Sequence, residues 1–164
     1  MDLPGKGSRG LPKVNLRAGS RSTVIGWTSR LQEQRMFHHL GIVVTDFTRS
    51  AALYDACLAP LGIRRTETDM DWAIYAAEGG QPFIWVGSEI PTYWRADHQA
   101  GNAPLHIAFS APDREAVDRF YAAAMEHGAE DHGPPGLRIG AGHYYSAYIL
   151  DFDGNNIEAT IREK

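Results

Sequence analysis

Three side chains of this 164-residue chain have the chemistry of a metal-ligand set: His39, His106 and Glu158. His39 opens "HLGIVV" and His106 opens "HIAFSA", two short apolar runs that read as strands. Glu158 lies in a third such run, "NNIEATI", near the C-terminus. Side chains alternate along a strand, so parity sorts them by face. Leu40, Ile42 and Val44 share one face, as do Ile107, Phe109 and Ala111, and as do Ile157, Ala159 and Ile161. Each candidate ligand falls on the opposite parity, away from the face expected to pack on helices. Two imidazoles and one carboxylate form the facial set that binds a divalent ion and leaves coordination positions open. The competing reading is that both histidines are structural, alike only because the unit carrying them was duplicated.

That duplication sets the elements. "HLGIVVTDFTRSAALYDACLAPLG", His39 to Gly62, lies over "HIAFSAPDREAVDRFYAAAMEHG", His106 to Gly128. His39 and His106, Asp46 and Asp113, and Tyr54 and Tyr121 each stand 67 residues apart. Asp46 and Asp113 are placed to cap helices, their carboxylates accepting from first-turn amides. Phe47, Tyr54, Leu58 and Leu61 recur at helical spacing, as do Val117, Phe120, Tyr121, Ala124 and Met125. Gly62 and Gly128 suit the left-handed position past a helix end. A short strand is expected near Arg64–Thr68 and another near Ala129–Asp131. Hairpins follow, "DWAIYAA" with "PFIWVG" and "HYYSAYILD" with "NNIEATI", the second turning at Asp153-Gly154. "GPPGLRIGAG", Gly133 to Gly142, reads as a loop. The unit is strand, helix, three strands, present twice: module 1 over about 36–90 and module 2 over about 105–164.

These stretches resemble the vicinal oxygen chelate superfamily, which holds glyoxalase I, extradiol dioxygenases, and fosfomycin- and bleomycin-resistance proteins. "FHHLGIVVTDFTRSAALYDACLAPLG", "HIAFSAPDREAVDRFYAAAMEHG", "GPPGLR" and "YYSAYILDFDGNNIEA" carry the likeness, "DFDGNNIE" most specifically. The resemblance implies an α+β fold of two tandem βαβββ modules forming a curved mixed sheet around a central cleft. It carries metal-ligand roles to His39, His106 and Glu158, with iron, manganese, nickel or zinc as the divalent ion. It implies chemistry on a small oxygen-bearing substrate, as a lyase or a dioxygenase. One departure stands out. Glyoxalase I-like members take a fourth ligand from the last strand of the first module, a position that falls near Ile84 in "GGQPFIWVG". No carboxylate or imidazole stands there. The alternative is a metal-free protein of the bleomycin-resistance kind, which sequesters a small molecule.

Candidates for substrate contact are Trp85, Arg138, His143, Tyr144 and Tyr148. Aromatics supply stacking surface, and acidic groups beside them suit a cationic aromatic ligand. Arg138, in "PPGLRIG", has the geometry to clamp a carboxylate or phosphate. His143, heading "HYYSAY", is the placed candidate for acid–base work. Cys57 sits near the first helical stripe with no partner histidine and reads as core, not nucleophile.

Charge divides the chain. Residues 1–35 hold seven Lys/Arg and two Asp/Glu, whereas residues 36–164 hold nine and eighteen. The first 35 residues lack periodicity and are expected to be a basic extension outside the fold. Three accounts fit it: translation starting at Met36, an Arg- and Ser-rich targeting peptide, or an arm for an anionic partner. The acidic body argues against nucleic-acid binding, and no apolar run has the roughly 20 residues of a membrane span. With one cysteine, no intramolecular disulfide can form, which fits a cytoplasmic protein. The expected partner is a small-molecule substrate, and a homodimer is compatible with the two-module layout.

Overall fold

The computed structural model describes residues 36–139 and 142–163. The first module runs β1 (His39–Val43), α1 (Phe47–Leu58), a 3₁₀ turn (Ala59–Leu61), β2 (Arg64–Thr68), β3 (Trp72–Ala76) and β4 (Phe83–Gly87). The second runs β5 (His106–Ser110), α2 (Arg114–Glu126), β6 (Glu130–Ile139), β7 (His143–Leu150) and β8 (Asn156–Arg162). The expected basic extension, residues 1–35, lies outside the described residues.

The local signals account for the elements. Asp46 accepts from the Arg49 amide at 3.0 Å and Asp113 from the Ala116 amide at 2.7 Å, capping α1 and α2. Gly62 and Gly128 take φ of 76° and 81°, where a Cβ would clash with the backbone. The stripes of both helices are buried: Tyr54, Leu58, Val117, Phe120 and Ala124 have no measurable exposure. Cys57 is as deeply buried, and burial pushes its thiol pKa up.

Each module forms its own mixed four-stranded sheet, in the orders β1-β4-β3-β2 and β5-β8-β7-β6. The first strand pairs in parallel with the last, which requires the helical crossover, and the other pairs are antiparallel. The two sheets, each with its helix, make the α+β fold of two tandem βαβββ modules that was expected. Ile42, Val44, Ile84 and Val86 face α1, and Ile107, Ile149, Ile157 and Ala159 face α2, within a single apolar cluster, while Leu40 on the same parity is exposed at the sheet edge. The two helices also pack on each other. Helices therefore fill the inside, and the faces carrying His39 and His106 both turn outward.

The stretch expected to be a loop is strand over most of its length. β6 extends to Ile139 and passes through Pro134 and Pro135. Proline cannot donate to a ladder, so it is tolerated only at edges and bulges. β6 is the edge strand of its sheet, and its register with β7 shifts between Asp131 and Gly133 and again between Gly133 and Gly136. The two prolines fall inside the second bulge.

Candidate functional site

Register assembles the outward face of the second module. Ala108, Glu158, Tyr148 and Gly133 stand side by side across β5, β8, β7 and β6. His106 pairs with Asn156 one step away. The His106 imidazole Nε2 lies 3.0 Å from Glu158 Oε2. The Glu158 side chain is 11% exposed and that of His106 56%, so the carboxylate is nearly enclosed and the imidazole open to solvent. Tyr148 presents its ring to His106 at 6.4 Å between centroids. Arg138 lies 5.2 Å from the same ring and donates from Nη2 to Pro134 O and Ser146 O. Ser146 Oγ and Thr160 Oγ1 share a 2.6 Å hydrogen bond beneath it. Tyr144, opposite Arg138 and Arg162, shares this face and is half-buried. Asn156 Oδ1 is buried without a hydrogen-bond partner among the described residues. Strand alternation alone extends the sequence candidates to Ser146, Asn156 and Thr160.

The outward face of the first module is mainly aromatic. His39 stacks on Phe83 with centroids 4.9 Å apart and planes 8° from parallel. Its Nδ1 is 2.8 Å from Nδ1 of His38, which is exposed and reaches Gln81 Nε2 at 3.0 Å. The Trp85 indole lies over Gly87, where a Cβ would stand 2.5 Å from the ring. Trp85, Val43, Glu89, Ile90 and Tyr93 help line a cavity of about 390 Å³ that also touches His39.

The structure brings Glu158, His106, Tyr148 and Arg138 together and places His39 and Trp85 on the other sheet, although a cavity of about 560 Å³ is lined by both His39 and His106. No group of three or more His, Cys, Asp or Glu side chains among the described residues is placed to hold one ion. Within one chain the residues therefore fit a metal only as a half-site. That half-site is chemically apt: a carboxylate and an imidazole converge, and an unpartnered amide oxygen, Asn156 Oδ1, lies two residues before Glu158 on β8. His143 stands on the opposite parity of β7, exposed and beside Glu163 rather than near Glu158. Ile84 is buried on the helix side, opposite Leu40. The residues of β4 that face outward are Phe83, Trp85 and Gly87, none of them a metal ligand.

"DFDGNNIE" has a structural reason as well. Asp151 accepts from the Tyr54 hydroxyl at 2.7 Å, from the Asp153 and Asn155 amides at 3.0 and 2.8 Å, and from Asn155 Nδ2 at 2.9 Å. Asp153 receives the Thr45 amide on both oxygens at 3.1 Å. The turn leading into β8, and so to Glu158, is bonded to the first module. Burial above all, and the Asp151 charge next, raise the Tyr54 pKa well above 10.0.

Two βαβββ modules with this register and this outward pair define the class. The chain belongs to the Glyoxalase/Bleomycin resistance protein/Dioxygenase superfamily, whose family model matches residues 36–159. A crystal structure of a glyoxalase/bleomycin resistance protein from Albidiferax ferrireducens T118 is similar over 78% of this chain and 100% of that one, with 34% identity and a TM-score of 0.64. A putative glyoxalase from Bacillus halodurans covers 79% and 98% of the two chains at 22% identity, with a TM-score of 0.58. A glyoxalase/bleomycin resistance protein/dioxygenase family enzyme from Burkholderia phytofirmans PsJN covers 75% and 95% at 18% identity, with a TM-score of 0.54. The last two share the fold alone. Comparison with curated proteins gave no match.

Proposed function

We propose that this protein is a metal-dependent enzyme, a lyase or dioxygenase, acting on a small oxygen-bearing substrate at a site completed by two copies of the chain. His106 and Glu158 of one copy and His39 of the other hold a divalent ion: iron, manganese, nickel or zinc. The observation that carries this reading is the 3.0 Å His106–Glu158 pair on an outward face. The second copy answers a geometric problem, because no three His, Cys, Asp or Glu side chains among the described residues are placed to hold one ion, although His39 and His106 line a common cavity. β1 and β5 are edge strands without charged residues, and Leu40 and Leu105 beside them are 37% and 43% exposed. Open edges of this kind invite strand pairing. Joining β1 of one copy to β5 of another, helices on one side, puts His39 on the same face as His106 and Glu158. A divalent ion there supplies Lewis-acid stabilisation of charge developing on substrate oxygens. Glu158 and His106 orient that end of the substrate, Tyr148 offers a ring beside it, and the aromatic face around Trp85 excludes water from its body.

A second reading is sequestration without metal, supported by the cavity around Trp85, Glu89 and Tyr93, which suits a cationic aromatic compound. Metal analysis of protein purified without chelator or affinity-tag metal separates the two. The enzyme reading expects stoichiometric divalent ion in the wild type. Failure to take up iron, manganese, nickel or zinc would favour sequestration.

A further inference from the structure

The Arg138 guanidinium is positioned away from its own backbone row. Arg138 sits opposite Tyr144 in the ladder, yet its head group reaches back to Ser146 O and to the Tyr148 ring, the row that also holds Glu158. Two carbonyls fix Nη2. Neither Nε nor Nη1 has a hydrogen-bond partner, and Arg138 has no carboxylate partner, among the described residues. The arginines paired in this chain, Arg65, Arg95 and Arg114, each meet an acid. Arg138 is half-buried, where an uncompensated charge is costly. Its neighbours over that row are glycines: a Cβ at Gly133 or Gly136 would come within 3.4 Å of Nη2 or Nη1. The cation is thus held in place beside the Tyr148 ring with no acid paired to it among the described residues, and its Nε is buried without a partner.

We infer that Arg138 is an anion subsite and that the ligand of this face is a small organic acid whose carboxylate it binds. This rests on the reading of that face as the substrate site and adds the substrate class. One guanidinium with one fixed amino group matches a singly charged planar carboxylate, as in arginine–carboxylate recognition generally. β6 and β8 are two strand spacings apart, about 10 Å, so the acid spans a few carbon atoms between its carboxylate and the end held at His106 and Glu158. Tyr148, between the two, is the surface along which the body lies.

The test uses the full chain, metal-free and zinc-loaded, titrated by ligand-observed NMR with phenylacetate, phenylacetamide and phenylphosphonate. Phenylacetate is expected to bind at least about ten-fold more tightly than the amide, the scale of a charge-assisted hydrogen bond. Arg138→Gln is expected to abolish that preference and Arg138→Lys to keep part of it, while Arg119→Gln, on the exposed side of α2, leaves it intact. Because Arg138 also holds Pro134 O and Ser146 O, both variants are checked for an unchanged thermal midpoint. The lysine variant decides the matter if the glutamine variant is unstable. Equal binding of acid and amide, a preference that survives Arg138→Gln, or no binding of the acid would overturn the inference. Tighter binding of the phosphonate would replace carboxylate by phosphate-type ligands. Failure of zinc to load defeats the metal reading alone, since the Arg138 dependence is read in the metal-free series.

Discussion

At the scale of single residues, His106 and Glu158 divide the work between them. The carboxylate is nearly enclosed and the imidazole is open, so the pair is built to be approached from His106's side. Glu158→Gln keeps the shape, removes the charge, and is expected to eliminate most bound metal while leaving the thermal midpoint near that of wild type. Metal content by mass spectrometry and a melting curve check both. An unchanged metal content would remove Glu158 from the site. Gly87 makes a different point. A Cβ there would stand 2.5 Å from the Trp85 indole and 2.8 Å from Trp72 Cβ. Gly87→Ala is expected to displace Trp85, shift tryptophan emission and cost about 1–3 kcal/mol in denaturant unfolding, as overpacking does. Emission and stability both unchanged would mean the ring has room to spare.

At the scale of elements, the turn before β8 is anchored by Tyr54 of α1. Tyr54→Phe removes one of the four hydrogen bonds to Asp151 and is expected to cost about 2 kcal/mol, the scale of a bond to a charged acceptor. The pH dependence has a definite sign. In the folded chain Tyr54 stays neutral because its pKa is raised well above 10.0, whereas the unfolded tyrosine ionises near that value. Its contribution to stability is complete below about pH 10 and is lost as pH rises further towards the folded value. Urea unfolding across that range should show a shallower alkaline decline in Tyr54→Phe than in wild type, and parallel curves would contradict this. Much of this level was legible in sequence. Period and caps located both helices, and parity put His106 and Glu158 on one face. The bulged strand was not legible, because Pro134 and Pro135 in a glycine-rich stretch are turn signals unless the strand is known to be an edge. His143 shares the parity of Ala147 and Ile149 and not of Tyr148, so alternation along β7 sets it on the other face. The Asp151 network was invisible because its partners, Tyr54 and Asp151, are far apart in sequence and only tertiary packing joins them.

At the scale of the whole molecule, the arrangement of the two modules decides what the site can be. Parity gives a face for each strand but not the relation between sheets. Here the helices lie inside, and in the proposed site His39 would come from a second copy to meet His106 and Glu158. No helix among the described residues is long and apolar enough to cross a membrane. The account predicts that the protein self-associates, and that metal retention falls with protein concentration as dimers part, readable by analytical ultracentrifugation. The most direct measurement is complementation between two defective chains. His39→Ala and His106→Ala are purified, shown to bind no metal alone, mixed in equal amounts, allowed to exchange subunits and assayed for bound ion. Each mixed dimer would hold one intact site and one doubly defective site. With random exchange, about a quarter of the wild-type metal should return. No recovery in a mixture shown to contain mixed dimers would contradict the shared site.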